Sequence, residues 1–351
     1  MRAFGKTGMK VNRLGFGGIP IQRTDQDGSN ELMKYVQESG INFIDTARAY
    51  GQSETFIGEA IKNIKNHFYI ATKSMARDYE GMKTDVEKSL KELQLDHIDL
   101  YQIHNIQAGE FEKVMGENGA YKALAEARTQ GKIKNIGITT HTLESLQKIV
   151  DMGTDYFVSI QFPFNIVESQ GIELLTQAHK KGMGIIIMKP LAGGAIENPD
   201  LAIKYILSQK FVDITIPGMG DIAEASQNTL SAKAVKEDDV YVFTEKEQLE
   251  IEAIKNDLTG NFCRRCGYCK PCPQGIDIPT AFLSGRYMKR YNLAQWGYGR
   301  YQASNIEKDG KLACIRCGAC LPRCPYFLPI PDMLEEVYKT KLETDAARNK
   351  K

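Results

Sequence analysis

Residues 41–54 read INFIDTARAYGQSE, and the fold of the larger part of the chain follows from how this stretch divides. INFID is short and apolar on both faces, as a strand buried on both sides of a parallel sheet must be. It ends on Asp45, a polar loop carrying Tyr50 follows, and Ser53-Glu54 opens an amphipathic run with helix-start chemistry. The same unit recurs from residue 11 to about 230. Candidate strands are Arg13–Phe16, Asn42–Thr46, Phe68–Lys73, Ile98–His104, Asn135–Thr139, Phe157–Gln161, Gly184–Lys189 and Asp213–Pro217. Helical patterns lie between them, among them Ser29–Glu38, Glu54–Lys65, Met82–Leu95 and Gly171–Lys181. Gly40, Gly131, Gly153 and Gly182 each stand just before the next strand, where a helix-ending glycine belongs. Eight such alternations predict an α/β chain folded as a (β/α)8 TIM barrel. A doubly wound open sheet is the alternative. Against it, no G-x-G-x-x-G follows the first strand, and Gly15–Gly18 (GFGG) opens no amphipathic helix.

The barrel pattern fades near residue 235. Residues 236–258 (KEDDVYVFTEKEQLEIEAIKNDL) are charged and helical and read as a connector packed on the barrel. From 259 to 335 the composition shifts to prolines, glycines and tyrosines, and all eight cysteines lie between Cys263 and Cys324. Residues 336–351 read as a charged tail, with fraying expected from 338 onward. The whole chain has 45 Lys+Arg against 44 Asp+Glu, a formal charge of +1, so bulk electrostatics favour neither nucleic acid nor an anionic membrane. No apolar run approaches the ~18 residues needed to span a bilayer, and the first residues lack a secretory pattern. Clustered rather than scattered cysteines suggest a metal site rather than a disulfide framework. A cytoplasmic protein is expected.

The cysteines form two motifs. Cys263, Cys266, Cys269 and Cys272 follow at spacings of three and end on Pro273; Cys314, Cys317, Cys320 and Cys324 follow with one wider step and end on Pro325. Three cysteines so spaced wrap one cubane, and the fourth closes the other. By this crossed logic Cys263, Cys266, Cys269 and Cys324 hold one [4Fe-4S] cluster, and Cys314, Cys317, Cys320 and Cys272 hold the second. Two structural zinc sites are the alternative, but zinc sites pair two C-x2-C units across a longer spacer. The segment resembles bacterial two-cluster ferredoxins, with a longer insertion between the motifs that carries Arg286, Arg290, Trp296 and several tyrosines. That insertion reads as a packing surface against the barrel rather than as a substrate contact.

Barrel chemistry sits at the C-terminal ends of strands. Those ends offer Asp45 and Tyr50 after the second strand, Lys73 on the third and His104 on the fourth. They compose a proton-transfer site for a carbonyl. A tyrosine with an ordinary pKa near ~10 is a poor acid at neutral pH. An ammonium at Lys73 would stabilise the Tyr50 phenolate and lower that value, Asp45 would hold the lysine, and His104 would orient the carbonyl.

At these residues the chain resembles the aldo-keto reductase superfamily. The similarity rests on 41-INFIDTARAYGQSE-54, 69-YIATKS-74 and 98-IDLYQIH-104, with further matches at 4-FGKTGMKVNRLGFGG-18, 135-NIGITTH-141, 160-IQFPFN-165, 188-MKPLAGG-194 and 215-TIPGMGDIAEASQN-228. The resemblance covers residues 1–235. It implies NAD(P)H as cofactor, hydride transfer to a small-molecule carbonyl, and Asp45, Tyr50, Lys73 and His104 as the catalytic tetrad. By the same resemblance Thr139 and Gln161 would bind the carboxamide, with Thr140 where the family often has asparagine. Met188 would stand in for an aromatic against the nicotinamide. Lys189, Leu191, Pro217, Gly218 and Met219 would line the diphosphate and adenosine end, with Gln227 and Asn228 near the adenine. Basic residues that grip a 2′-phosphate align with Gly218 and Glu224, and a carboxylate there leans the expectation towards NADH.

A hydride carries two electrons and each cluster accepts one, so direct exchange normally needs a carrier such as flavin, for which no signature is present. Three functions fit: a reductase whose clusters exchange electrons with the barrel cofactor or a redox protein partner; a carbonyl reductase with structural or sensing clusters; and an electron-transfer protein whose barrel is a docking scaffold. The intact tetrad disfavours the third. Substrate identity and oligomeric state have no signature in the sequence.

Overall fold

The computed structural model describes residues 1–236, 241–260, 262–265, 267–289, 294–324 and 326–348. Eight parallel strands run in sequence order: β1 (Phe16–Gly17), β2 (Phe43–Asp45), β3 (Tyr69–Ser74), β4 (Ile98–Ile103), β5 (Ile133–Thr139), β6 (Ser159–Pro163), β7 (Gly184–Met188) and β8 (Ile214–Thr215). Parallel bridges from Leu14 to Thr215 and from Gly17 to Gly218 join the first strand to the last, so the sheet closes on itself. Gly17 allows this closure, because a Cβ there would lie 2.6 Å from the Pro217 carbonyl oxygen. The expected first strand, Arg13–Phe16, begins later as a continuous strand. Its residues still bond the last one, with Gly15 N–H donating to Thr215 O and Thr215 N–H to Arg13 O.

Each strand is followed by a helix: α1 (Gln26–Glu38), α2 (Ser53–Ile61), α3 (Tyr79–Leu93), α4 (Ala120–Thr129), α5 (Leu143–Met152), α6 (Ile172–Lys180), α7 (Pro199–Leu207) and α8 (Ile222–Lys233). Asp25, Asp78, Thr142, Asn198 and Asp221 cap five of these starts, each side chain accepting a backbone N–H of the first turn. The four helix-ending glycines take φ between 71° and 87°.

Side chains alternate across a strand, so the barrel interior is set by every second residue. Phe43, Ala71, Leu100, Ile186 and Ile214 form an apolar lower layer with Phe4, Met9 and Val11 of an N-terminal hairpin. Lys6 N–H donates to Gly182 O just before β7, which places that hairpin under the N-terminal mouth. Two residues further along β2, β3 and β4 the same inward face carries Asp45, Lys73 and Gln102. These polar side chains therefore sit on an apolar floor at the C-terminal mouth.

The chain divides into two compact units, Met1–Leu191 with Asn198–Phe243, and Ala192–Glu197 with Thr244–Lys351. The second contains α9 (Glu245–Thr259), α10 (Ile278–Lys289), α11 (Ala294–Ala303), α12 (Ile330–Arg348) and a two-stranded ribbon of Glu307–Lys308 and Lys311–Leu312. Residues 338–348, expected to fray, continue α12. Lys339 pairs with Glu335 and Lys341 with Asp345 at helical spacing, and Lys341 also reaches Glu307. Among the described residues no helix is long and apolar enough to cross a membrane.

Candidate active site and cysteine cavities

The inward layer converges at one point of the barrel mouth. Lys73, 1% exposed, donates from Nζ to Asp45 Oδ2 at 2.5 Å and to the Thr46 carbonyl at 2.8 Å. The same ammonium lies 4.9 Å from the centroid of the Tyr50 ring. His104 meets that ring edge-on, with centroids 5.8 Å apart at 85°. The four residues named from strand ends thus stand together.

Their electrostatics follow from burial. Removal from water pushes Asp45 above the ordinary carboxyl range and Lys73 below the ordinary ammonium range. Each charge is opposed by burial and supported by the other. Gln102 Nε2 donates to Asp45 Oδ1 at 3.3 Å, and Gln161 further favours the ionised carboxylate. Burial first, then the charges of Lys73 and Arg77, hold His104 well below 6.5. The imidazole is therefore neutral at pH 7 and keeps one donor and one acceptor nitrogen. Its Nδ1 is buried with no hydrogen-bond partner among the described residues.

Sequence reading missed Gln102. The signal was present, since it lies two residues before His104 and so shares its face of β4. A second missed group stands behind the site. Glu54, buried at 1%, accepts from Thr72 Oγ1 at 2.6 Å and pairs with Arg48, which also reaches Glu92 at 2.6 Å. Glu54 also favours the charged form of Lys73.

The expected cofactor residues divide. Thr139, the last residue of β5, accepts the Asn105 N–H on Oγ1 at 2.7 Å. Thr140 donates its hydroxyl to Ile106 O at 2.9 Å. Gln161 Oε1 is buried without a partner. Met188 ends β7, and Lys189 follows at φ 59° with Nζ buried and partnerless. Leu191 is half-buried beyond it. Pro217, Gly218 and Met219 run along β1: Gly17 N–H donates to Pro217 O, and Met219 N–H to Gly17 O. Glu224, in the first turn of α8, accepts the Gly220 N–H at 2.7 Å and pairs with Arg23 at 2.7 Å. Arg23 was not anticipated, because its partner is 201 residues away in sequence. Gln227 is exposed and Asn228 is buried. His141 bonds Asn105 Oδ1 at 2.7 Å, and Thr142 caps α5.

In the second unit the thiols line two cavities. Cys263, Cys269 and Cys324 line one, with Arg264, Phe282 and Tyr326 also in its wall. Cys272, Cys314, Cys317 and Cys320 line another. Cys266 lies outside the described residues, as does Arg290. Ile278 belongs to the wall of both cavities. The two motifs share a backbone device: Arg265 and Gly267 have φ 59° and 84°, and Arg316 and Gly318 have φ 55° and 74°. Left-handed residues turn successive N–H groups inwards and form the kind of nest that binds anions and iron–sulfur groups. Arg265 N–H lies 3.4 Å from Cys263 Sγ. The repeat reaches past the cysteines, since Ile278-Pro279 and Ile330-Pro331 begin α10 and α12 six residues after Cys272 and Cys324. Of the insertion, Arg286 stacks on Phe262 and donates to Cys263 O, while Arg300 lies against Tyr287 and Trp296.

The residues fit the groups the sequence implies. A buried partnerless Lys189 Nζ and His104 Nδ1 suit an anionic cofactor and a carbonyl oxygen. Thiols spread around a cavity suit a polynuclear cluster.

Comparison with known proteins agrees with the geometry. The 4Fe-4S dicluster domain matches residues 262–328. L-Galactose dehydrogenase of Arabidopsis thaliana is 26% identical over 304 residues, covering 72% of this chain and 93% of its own length. An aldo-keto reductase of Bacillus subtilis is 33% identical over 188 residues, covering 47% of this chain and 53% of its own. The holo form of an aldo-keto reductase from Bacillus halodurans shares the fold with a TM-score of 0.61 at 23% identity, over 72% of this chain and 95% of that one. With the family's model matching residues 13–199, a closed barrel and the second match downstream, the chain belongs to the aldo/keto reductase family and carries a 4Fe-4S dicluster domain at its C-terminal side.

Proposed function

We propose that the barrel is a nicotinamide-dependent oxidoreductase interconverting a carbonyl and an alcohol on a small molecule, and that two [4Fe-4S] clusters accompany it. The observation that carries this reading is the buried Lys73–Asp45 pair beneath the Tyr50 ring, with His104 at the ring edge. When bound, the nicotinamide supplies hydride to the carbonyl carbon. Tyr50 donates the proton to the carbonyl oxygen, Lys73 stabilises the phenolate left behind, and Asp45 holds Lys73 in place. His104, neutral, donates a hydrogen bond that orients the carbonyl. Lys189 offers its charge to the cofactor's diphosphate, and Thr139, Thr140, Gln161 and Met188 form the rim for the nicotinamide. Cys263, Cys266, Cys269 and Cys324 hold one cluster, and Cys272, Cys314, Cys317 and Cys320 the other.

NADH is the preferred cofactor in this reading. A 2′-phosphate would have to displace Glu224 from Arg23, while a ribose hydroxyl donates to the carboxylate as it stands. Glu224→Gln frees Arg23, so NADPH affinity should rise by about tenfold, the worth of one charge-assisted contact, with NADH affinity little changed. Direct binding titrations check this, and a wild-type preference for NADPH would overturn it.

The clusters serve electron exchange with the barrel cofactor or with a redox protein. Anaerobic addition of NADH to protein with full iron content should bleach the visible cluster absorption. An unchanged spectrum, with carbonyl reduction intact, would rule out exchange with the barrel cofactor and leave the clusters to a redox protein or to a structural or sensing role.

A further inference from the structure

The two cysteine cavities share a backbone plan but differ in what walls them. Cys263, Cys269 and Cys324 are 7%, 8% and 7% exposed, whereas Cys317 is exposed and Cys272, Cys314 and Cys320 are half-buried. The residue after the first cysteine of each motif marks the difference. In the first motif it is Arg264, buried in the cavity wall with its guanidinium 4.1 Å from the centroid of Tyr326, another wall residue. In the second it is Ile315, 63% exposed. Arg286 adds a guanidinium behind the first cavity, over Phe262 at 4.2 Å and donating to Cys263 O at 3.1 Å. Of the two arginines in the second motif, Arg316 is turned outwards, where Asp332 and Glu335 engage it, and Arg323 is exposed and donates to the Pro271 carbonyl at 2.9 Å.

Reducing a cluster adds one negative charge to a group already ringed by thiolates. Water stabilises that charge at the exposed cavity. Burial withholds water at the other and disfavours the reduced state. A fixed positive charge in the wall works in the opposite sense, and the low local dielectric strengthens it. Arginine suits this role because it stays protonated in every protein environment.

We propose that Arg264 is a potential-setting residue, which keeps the buried cluster reducible by offsetting the desolvation of its added electron. The proposal rests on the two-cluster reading above. Arg264 does not touch reacting atoms; it acts through the field at the Cys263, Cys269 and Cys324 cluster. Arg286 contributes in the same sense with smaller effect, since Phe262 and the Cys263 carbonyl stand between it and the cavity.

Potentiometric titration of the anaerobically purified full-length protein, followed by paramagnetic resonance, tests this. Arg264→Met should lower the potential of one cluster so that its reduced fraction falls at least tenfold at fixed potential, about 59 mV for one electron, and leave the other cluster unmoved. Arg264→Lys, which keeps the charge, should recover most of the shift. Arg316→Met should leave that cluster unmoved and shift only the other, by less, because its charge is exposed and shared with Asp332 and Glu335. Should Arg264→Met fail to assemble clusters, Arg286→Met gives the same sign in the same cluster. Unmoved potentials, equal shifts in both clusters, or Arg264→Lys falling as far as Arg264→Met would overturn the assignment. Iron content below two clusters in the wild type would instead overturn the reading beneath it, and the assignment with it.

Discussion

Replacing Tyr50 by Phe should lower kcat for carbonyl reduction by about 10²–10⁴-fold, the usual worth of a positioned general acid. Phe keeps the ring that packs edge-on against His104 and lies over Lys73, so the substitution removes the hydroxyl and little else. Cofactor affinity should hold, because the residues proposed to grip the cofactor lie at or just beyond the ends of β5 to β8 and in α8, away from Tyr50 in sequence. A panel of small aldehydes and ketones assayed with NADH and NADPH, alongside cofactor titration, separates the two effects. A fall of less than tenfold, or an equal loss of cofactor binding, would remove Tyr50 from the acid's role.

The second large effect is on stability. Lys73→Met should destabilise the barrel by about 3–5 kcal/mol, because it leaves the Asp45 carboxylate buried at 2% exposure without its counter-charge. The Thr46 carbonyl also loses its donor. Adding Asp45→Asn should recover much of the loss, since two neutral groups in that position carry no uncompensated charge and Gln102 can still bond the amide. Urea denaturation of the single and double variants, followed in the barrel, measures the coupling. Additive losses would mean that the pair is held for reasons other than mutual neutralisation. Both variants should be inactive, in which case stability and catalysis would depend on the same ion pair.

Much of this was legible in the sequence, for identifiable reasons. Parallel strands buried on both faces leave short apolar runs such as Asn42–Thr46, and eight of them separated by helical patterns leave few alternatives to a closed barrel. Asp45, Tyr50, Lys73 and His104 stand out because charged or titratable groups at the ends of apolar strands are unusual. Spacing alone gave a crossed grouping of the cysteines, and the cavities divide the seven described thiols along the same line.

What was not legible depends on distant partners. Glu224 reads as a bare carboxylate until the closed barrel brings Arg23 of the β1–α1 loop beside it. Gln102 reads as core filling, because an amide has no charge to draw attention, yet the closed barrel sets it against Asp45. His141 stands just before α5, but Thr142 caps that helix, and His141 turns to Asn105, itself in the left-handed region at φ 53°. The tail at 338–348 carries charge enough for a frayed end, and its pairing with Glu307 and Glu335 becomes visible only once the ribbon and α12 are folded.

Ile278 has a consequence of another kind. One aliphatic side chain, 1% exposed, serves as wall to both thiol-lined cavities. A larger residue would crowd both and a smaller one would loosen both, so neither cavity can be adjusted at that position independently of the other. The two halves of the repeat are therefore tied in their evolution: a sequence change that suits one must be accepted, or compensated, by its twin.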